Sequence, residues 1–131
     1  MPHNKDYGAL LLRVTLGVLF LAHAGLKLVV FTPAGTAKFF ESLGLPGPFA
    51  YLVIAAELLG GVALILGVYT RVVALVLAAD LLGAIVLVHA ANGFWFNAKG
   101  GGWEYPAFWA IALVVQALIG AGAYALKPAR A

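Results

Sequence analysis

"PFAYLVIAAELLGGVALILGV", residues 48–68, carries a single Asp, Glu, Lys, Arg or His, Glu57. A helix needs about 20 mostly apolar residues to cross the roughly 30 Å hydrocarbon core of a bilayer, and this run has that length. It shows no alternation of apolar and polar positions, so it does not read as a strand of a membrane barrel. Lipid demands that the backbone satisfy its own hydrogen bonds, and a helix does so within one segment. Pro48 suits a first helical turn. The stretch therefore predicts a membrane-spanning helix with one carboxyl group near its middle.

Three further runs read the same way, giving four spans at about 8–31, 48–68, 72–90 and 106–126. The chain of 131 residues is 64% hydrophobic and only 10% charged, against about a quarter charged in soluble domains. That is too little polar surface for a fold in water. The expectation is one all-α domain over residues 1–131, an integral membrane four-helix bundle in a lipid bilayer. Small residues recur four apart at Ala56/Gly60, Ala63/Gly67 and Ala79/Gly83, a spacing that lets helices approach closely. Within the first connection, Phe39, Phe40 and Leu43 can share one face of a short helix lying in the interface. Lys5 ahead of an apolar run and the small-x-small triplet Ala22-His23-Ala24 mimic a signal peptide. Arg13 interrupts that run and the run continues past the triplet, so a retained first helix is the reading.

With four spans, both termini and the Tyr69-Thr70-Arg71 turn share one side of the membrane. That side carries Lys5, Arg71, Lys127 and Arg130, with Arg13 just inside the membrane, while the other carries Lys38 and Lys99 offset by Glu41 and Glu104. The excess of Lys and Arg places both termini in the cytoplasm.

Several chemistries are excluded. The chain has no cysteine, so disulfides, thiolate metal sites and Cys-attached haem are absent. A net charge of +3 is small and reads as membrane orientation, with no nucleic acid as partner. No P-loop, dinucleotide fingerprint or nucleophile elbow occurs. His23, Glu57, Asp80 and His89 are ligand types for Zn or Fe, but no close HExxH or ExxH pair appears, and no metal or haem is expected.

Ionisable residues inside a span are costly and are functional candidates by default. Here they are Arg13, His23, Lys27, Glu57, Asp80 and His89. His23 lies eight residues before the outer end of its run, Glu57 nine after the outer start and Asp80 ten before the outer end. At about 1.5 Å per residue, each sits roughly 12–15 Å deep, near mid-membrane. Lys27 is one turn above His23 on nearly the same face. His89 and Glu104 lie near the outer boundary, and Arg13 stands alone near the cytoplasmic side. The ladder reads as a static ion-pair network, a proton path or the polar wall of a ligand pocket. Arg13 and Lys27 can also be side chains that snorkel to opposite interfaces.

Between the last two runs lies "KGGGWEYP", Lys99–Pro106. Its glycines permit unusual backbone angles and close approach, and Pro106 can start the fourth helix. Glu104 is then held at the helix's positive end and is expected to turn inward over the bundle, as part of a lid. Trp95, Trp103 and Trp109 read as interfacial anchors.

The patterns "LLLRVTLGVLFLAHAGLK", "GLPGPFAYLVIAAELLGGVALILGVYTR" and "LVHAANGFWFNAKGGGWEYP" resemble the DoxX family of small bacterial four-helix membrane proteins, in order and over nearly the whole chain. The family takes its name from a subunit associated with an archaeal terminal quinol oxidase. Related subunits act in thiosulfate:quinone oxidoreduction, and other members are linked to membrane redox and oxidative-stress complexes. The resemblance implies a multi-pass protein of the bacterial inner membrane and carries Arg13, His23, Lys27, Glu57, Arg71, His89, Asn92, Gly93, Trp103, Glu104 and Tyr105 as family positions. Asp80 is not among its signatures.

Three functions remain open at this point. The first is a redox-associated membrane subunit with a quinone or quinol site, in which His23, Lys27, Glu57 and Glu104 act catalytically. Asp80, His89 and Arg13 then form a proton relay or network, and Asn92, Gly93, Trp103 and Tyr105 a lid. The second is a non-catalytic anchor or assembly subunit of a redox or stress complex. The third is a small transporter, for which four helices give so narrow a path that a homo-oligomer is needed. The first two imply a redox-enzyme partner subunit, and the only cofactor expected is the quinone.

Overall fold

The computed structural model describes residues 2–126 of the chain. Lys127 and Arg130, counted above toward orientation, lie outside the described residues. The chain is all-helical, with α1 over Asn4–Gly25, α2 over Pro33–Ser42, α3 over Phe49–Leu66, α4 over Thr70–Ala84 and α5 over Glu104–Ile119. Helix α1 starts where the Asp6 carboxylate accepts the His3 backbone N–H at 2.8 Å, a reciprocal cap at the N-terminus. It runs on through a π-helical turn, Leu26–Val30. Helix α4 does the same through Ile85–His89 and then a 3₁₀ turn, Ala90–Asn92.

Among the described residues, three helical stretches are long and apolar enough to cross a membrane: Asn4–Val30, Phe49–Leu66 and Thr70–Asn92. Helix α5, at 16 residues, is about 24 Å long and falls short of the span expected over 106–126. It starts two residues before Pro106 and ends at Ile119, because Gly120 takes a φ of +85° and the chain leaves the helix. The following residues are anchored to the bundle: Ala123 N–H donates to Asp6 O and Leu126 N–H to Leu66 O, each at 3.0 Å. Gln116 Nε2, fully buried, donates to Gly120 O and Ala9 O.

Helix α1 packs along α3, and α4 along α5, with thinner seams joining the two pairs. The core between them is built from Leu16, Phe20, Leu64, Leu77, Leu81, Trp109 and Leu113. Outward positions are also apolar, as at Leu11, Val18, Leu59, Val86, Ile111 and Leu118, which is what a lipid solvent requires of a helix exterior. The tightest approach is between α1 and α3. A Cβ on Gly17 would lie 2.7 Å from Gly61 O, and one on Gly61 would lie 2.9 Å from Gly17 O. Gly60 likewise admits Leu77. Gly83 differs, with nothing within 4 Å of its Cβ position. The Ala79/Gly83 pair is therefore not a helix seam, and both residues border a cavity.

Arg13 lies at the end of the bundle that holds the last described residues, and it is fully buried. Its guanidinium donates through Nε to Ala121 O (2.9 Å), through Nη1 to Leu64 O (2.9 Å) and Ile65 O (2.8 Å), and through Nη2 to Ala123 O (2.8 Å). It does not snorkel. It ties the carbonyl end of α3, whose last turn leaves acceptors without helical partners, to the segment after α5.

Candidate functional site

The opposite end of the bundle gathers the polar ladder. The π turn at Leu26–Val30 contains Lys27, and the π turn at Ile85–His89 contains His89. Single π turns inside α-helices recur at functional sites because the extra residue re-aims the side chains around it. Lys27 Nζ meets Glu57 Oε1 at 2.5 Å, with the Lys27 side chain 21% exposed and that of Glu57 6%. The Asp80 carboxyl group, on α4, sits beside that of Glu57 and near the Lys27 ammonium. Three helices thus bring one cation and two carboxyl groups together, with Lys27 rather than His23 joining Glu57 and Asp80.

Two cavities flank this cluster. The larger, about 740 Å³, has Lys27, Glu57, Asp80, His89 and Thr36 as polar lining and is otherwise mostly apolar, with Phe31, Phe39, Phe40 and Phe49 among its walls. Helix α2 supplies one wall. Thr32, with φ of +65°, caps it by accepting the Gly35 N–H at Oγ1, and Pro33 opens its first turn. The expected face of Phe39, Phe40 and Leu43 is the one that lines the cavity. The smaller cavity, about 430 Å³, is bordered by His23, Lys27, Glu57, His89, Tyr105 and Trp109 and covered by Phe96, Gly101 and Gly102. Lys27, Glu57, Ala84 and His89 border both.

The covering loop is held by its own backbone. Gly102 N–H donates to Trp95 O, Trp103 N–H to Gly93 O and Glu104 N–H to Phe94 O, each at 2.9 Å. Gly101 O accepts both Asn92 Nδ2–H and a bond to His89 Nδ1, each at 2.9 Å. A Cβ on Gly102 would lie 2.2 Å from Trp95 O and 2.5 Å from Phe94 O, main-chain atoms that cannot step aside. Gly102→Ala is therefore expected to open the loop at a cost of about 2 kcal/mol. Far-UV circular dichroism would then keep its helical signal while the near-UV tryptophan bands collapse.

Glu104 does not turn inward. Its carboxylate accepts the Phe96 backbone N–H at 3.2 Å and borders neither cavity, because as the first residue of α5 it points back along the loop it pins. Trp103 is partly exposed and packs edge-on against Phe94, ring centroids 4.8 Å apart. Tyr105 packs on Trp109 at 5.9 Å. Trp109 is no interfacial anchor: it is 5% exposed and packs in tilted contact with Phe20 at 4.6 Å and His23 at 4.7 Å between ring centroids. Arg13, at the far end, is not part of the cluster. Among the described residues no group of three or more His, Cys, Asp or Glu could hold a metal. Sequence reasoning missed Gly101, whose carbonyl joins His89 to the loop, and Gln116. A lone Gln in an apolar run was the available signal for the latter.

The model of the DoxX family matches residues 8–90. This chain belongs to the DoxX family. The DoxX match spans α1 to the end of the second π turn and so includes His23, Lys27, Glu57, Asp80 and His89, while the covering loop lies beyond it. Among curated DoxX-like relatives, the chain is 38% identical over 99 residues to "Putative oxidoreductase CatD" of Bacillus subtilis (strain 168), covering 76% of this chain and 72% of that protein. It is 35% identical over 90 residues to "Inner membrane protein YqjF" of Escherichia coli (strain K12), covering 69% of this chain and 68% of that protein. No solved structure matches the chain significantly. DoxX membership and the apolar helices make it a multi-pass protein of the inner membrane.

Proposed function

We propose that the chain is a membrane redox-associated subunit whose larger cavity takes the ring of a quinone or quinol. The observation that carries this reading is the Lys27–Glu57 pair beside Asp80, set in an otherwise mostly apolar cavity of about 740 Å³. The donor set fits such a ring. An ammonium has three hydrogens, and Glu57 takes one of those on Lys27, leaving others for a carbonyl oxygen. Glu57 and Asp80 can accept or return protons at the ring oxygens. Phe31, Phe39 and Phe49 give an apolar course for an isoprenoid tail. A bound quinone supplies a two-electron, two-proton couple between carbonyl and hydroxyl. Lys27 orients the ring, the carboxyl groups hold protons, and the apolar walls exclude water, which strengthens each polar contact. The name of the Bacillus relative, an oxidoreductase, supports the class of chemistry.

The proton route of this reading runs from Glu57 and Lys27 past His89 into the smaller cavity and under the covering loop. Lys5 and Arg71 favour a cytoplasmic placement of their end, which puts that loop on the outer side. Electrons reach the site from a partner redox subunit. A second reading, an anchor or assembly subunit, draws support from the self-contained bonding of the loop, which would present Phe94, Trp95 and Trp103 as a rigid docking rim.

The test is mass spectrometry of the protein purified in native-lipid nanodiscs. Near-stoichiometric quinone, lost in a folded Glu57→Gln variant, is the expected result. Absence of quinone with a constant partner chain would overturn the redox site in favour of assembly.

A further inference from the structure

The two histidines of the smaller cavity are locked in one orientation. His23 Nδ1 lies 2.9 Å from Leu19 O, and His89 Nδ1 lies 2.9 Å from Gly101 O. A carbonyl oxygen can only accept, so in both neutral rings the proton sits on Nδ1 and Nε2 carries a lone pair. Neither Nε2 has a hydrogen-bond partner among the described residues, and neither is sealed from solvent. Both rings border the same cavity of about 430 Å³, beside Trp109 and Tyr105, whose rings meet edge to face.

We infer that the smaller cavity binds a small flat ring bearing hydroxyl groups, which donate to Nε2 of His23 and His89 while the ring packs on the aromatic wall. An oxyanion would be drawn by Lys27 in the wall, but it accepts without donating and so leaves both Nε2 lone pairs unmet. An ammonium ligand suits it poorly as well, since Lys27 stands in the wall and Glu57 is already paired. The volume falls within the range of small-molecule sites. This cavity is distinct from the quinone cavity, with which it shares Lys27, Glu57, Ala84 and His89 as wall.

Resorcinol is the probe, with 1,3-dimethoxybenzene as the control that lacks O–H donors and sulfate as the anion control. Each is titrated against the protein in nanodiscs by tryptophan fluorescence, with empty nanodiscs subtracted for partitioning. Resorcinol is expected to saturate, with the ether weaker by about tenfold and His23→Asn and His89→Asn each weakening resorcinol by about five- to tenfold. Asparagine keeps an N–H for the backbone carbonyl and deletes Nε2. No saturation by resorcinol, equal binding of the ether, tighter binding of sulfate, or unchanged affinity in both variants overturns the inference. If either variant does not fold, histidine ¹⁵N spectra of the native protein decide. Nδ1–H tautomers whose Nε2 signals move with resorcinol support the site, and Nε2–H tautomers or unmoved signals overturn it. No quinone enters this assay, so its failure leaves the proposed redox reading standing.

Discussion

Arg13→Met is expected to cost about 4 kcal/mol of folding stability and to release the segment after α5. Methionine keeps the apolar length of the side chain but withdraws all the guanidinium donors. Leu64 O, Ile65 O, Ala121 O and Ala123 O then lose bonds of 2.8–2.9 Å in a buried site. Buried acceptors left without donors cost about 1–3 kcal/mol each, partly recovered where the chain can relax. Arg13→Lys should recover only part of the loss, because an ammonium lacks the planar fork that reaches four oxygens at once. Thermal unfolding in detergent measures the first effect. Limited proteolysis within Gly120–Leu126 measures the second, with cleavage expected in Arg13→Met and slow or absent cleavage in the native chain. Equal melting of Arg13→Met and the native protein would mean that the carbonyl cage does not hold this end together.

Lys27→Met is expected to be the more damaging of the two ways to break the buried ion pair. It leaves the Glu57 and Asp80 carboxyl groups facing each other with no cation, and losing one partner of a buried pair costs about 3–5 kcal/mol. Glu57→Gln should cost clearly less, because Asp80 stands near Lys27 and can take over as its counter-ion. The double variant Lys27→Met/Glu57→Gln should regain much of the loss, as paired removal of buried charges is often close to neutral. A thermodynamic cycle over the four proteins, by thermal or denaturant unfolding, reads the coupling. A coupling near zero, or a Glu57→Gln protein less stable than Lys27→Met, would contradict this arrangement. The ordering also matters for function, since a folded Glu57→Gln protein is what the quinone test requires.

Counting residues at constant helix rise put His23, Glu57 and Asp80 in one layer with Lys27 a turn above; the structure brings Lys27, Glu57 and Asp80 together and sets His23 against Trp109. Azimuth was less legible. The π turns around Lys27 and His89 shift the helical phase, and apolar runs such as "LKLVV" and "IVLVH" carry no mark of them. The end of α5 was misread for a related reason. Hydropathy reports that a residue avoids water, not whether its backbone is helical, and Ala121 and Ala123 are buried in a non-helical segment once Arg13 supplies donors. The same limit misplaced Trp109, since an indole in the core and one in the interface look alike in a sequence. Glu104 was placed in the connection beside a helix start, where it proves to be the first helical residue, and its direction depended on Phe96 offering an N–H, a property of the loop's path.

Both cavities share Lys27, Glu57, Ala84 and His89 as wall, and a shared wall makes their occupancies interdependent. A molecule that draws Lys27 toward the larger cavity changes the charge met by a molecule in the smaller one. Linkage makes the exchange symmetrical: the factor by which the first alters the affinity of the second equals the factor by which the second alters the first. Couplings of this kind typically span about 5- to 150-fold. The pair of helices joined through Lys27 and Glu57 would then act as a balance, on which the loading of one compartment is weighed against the loading of the other.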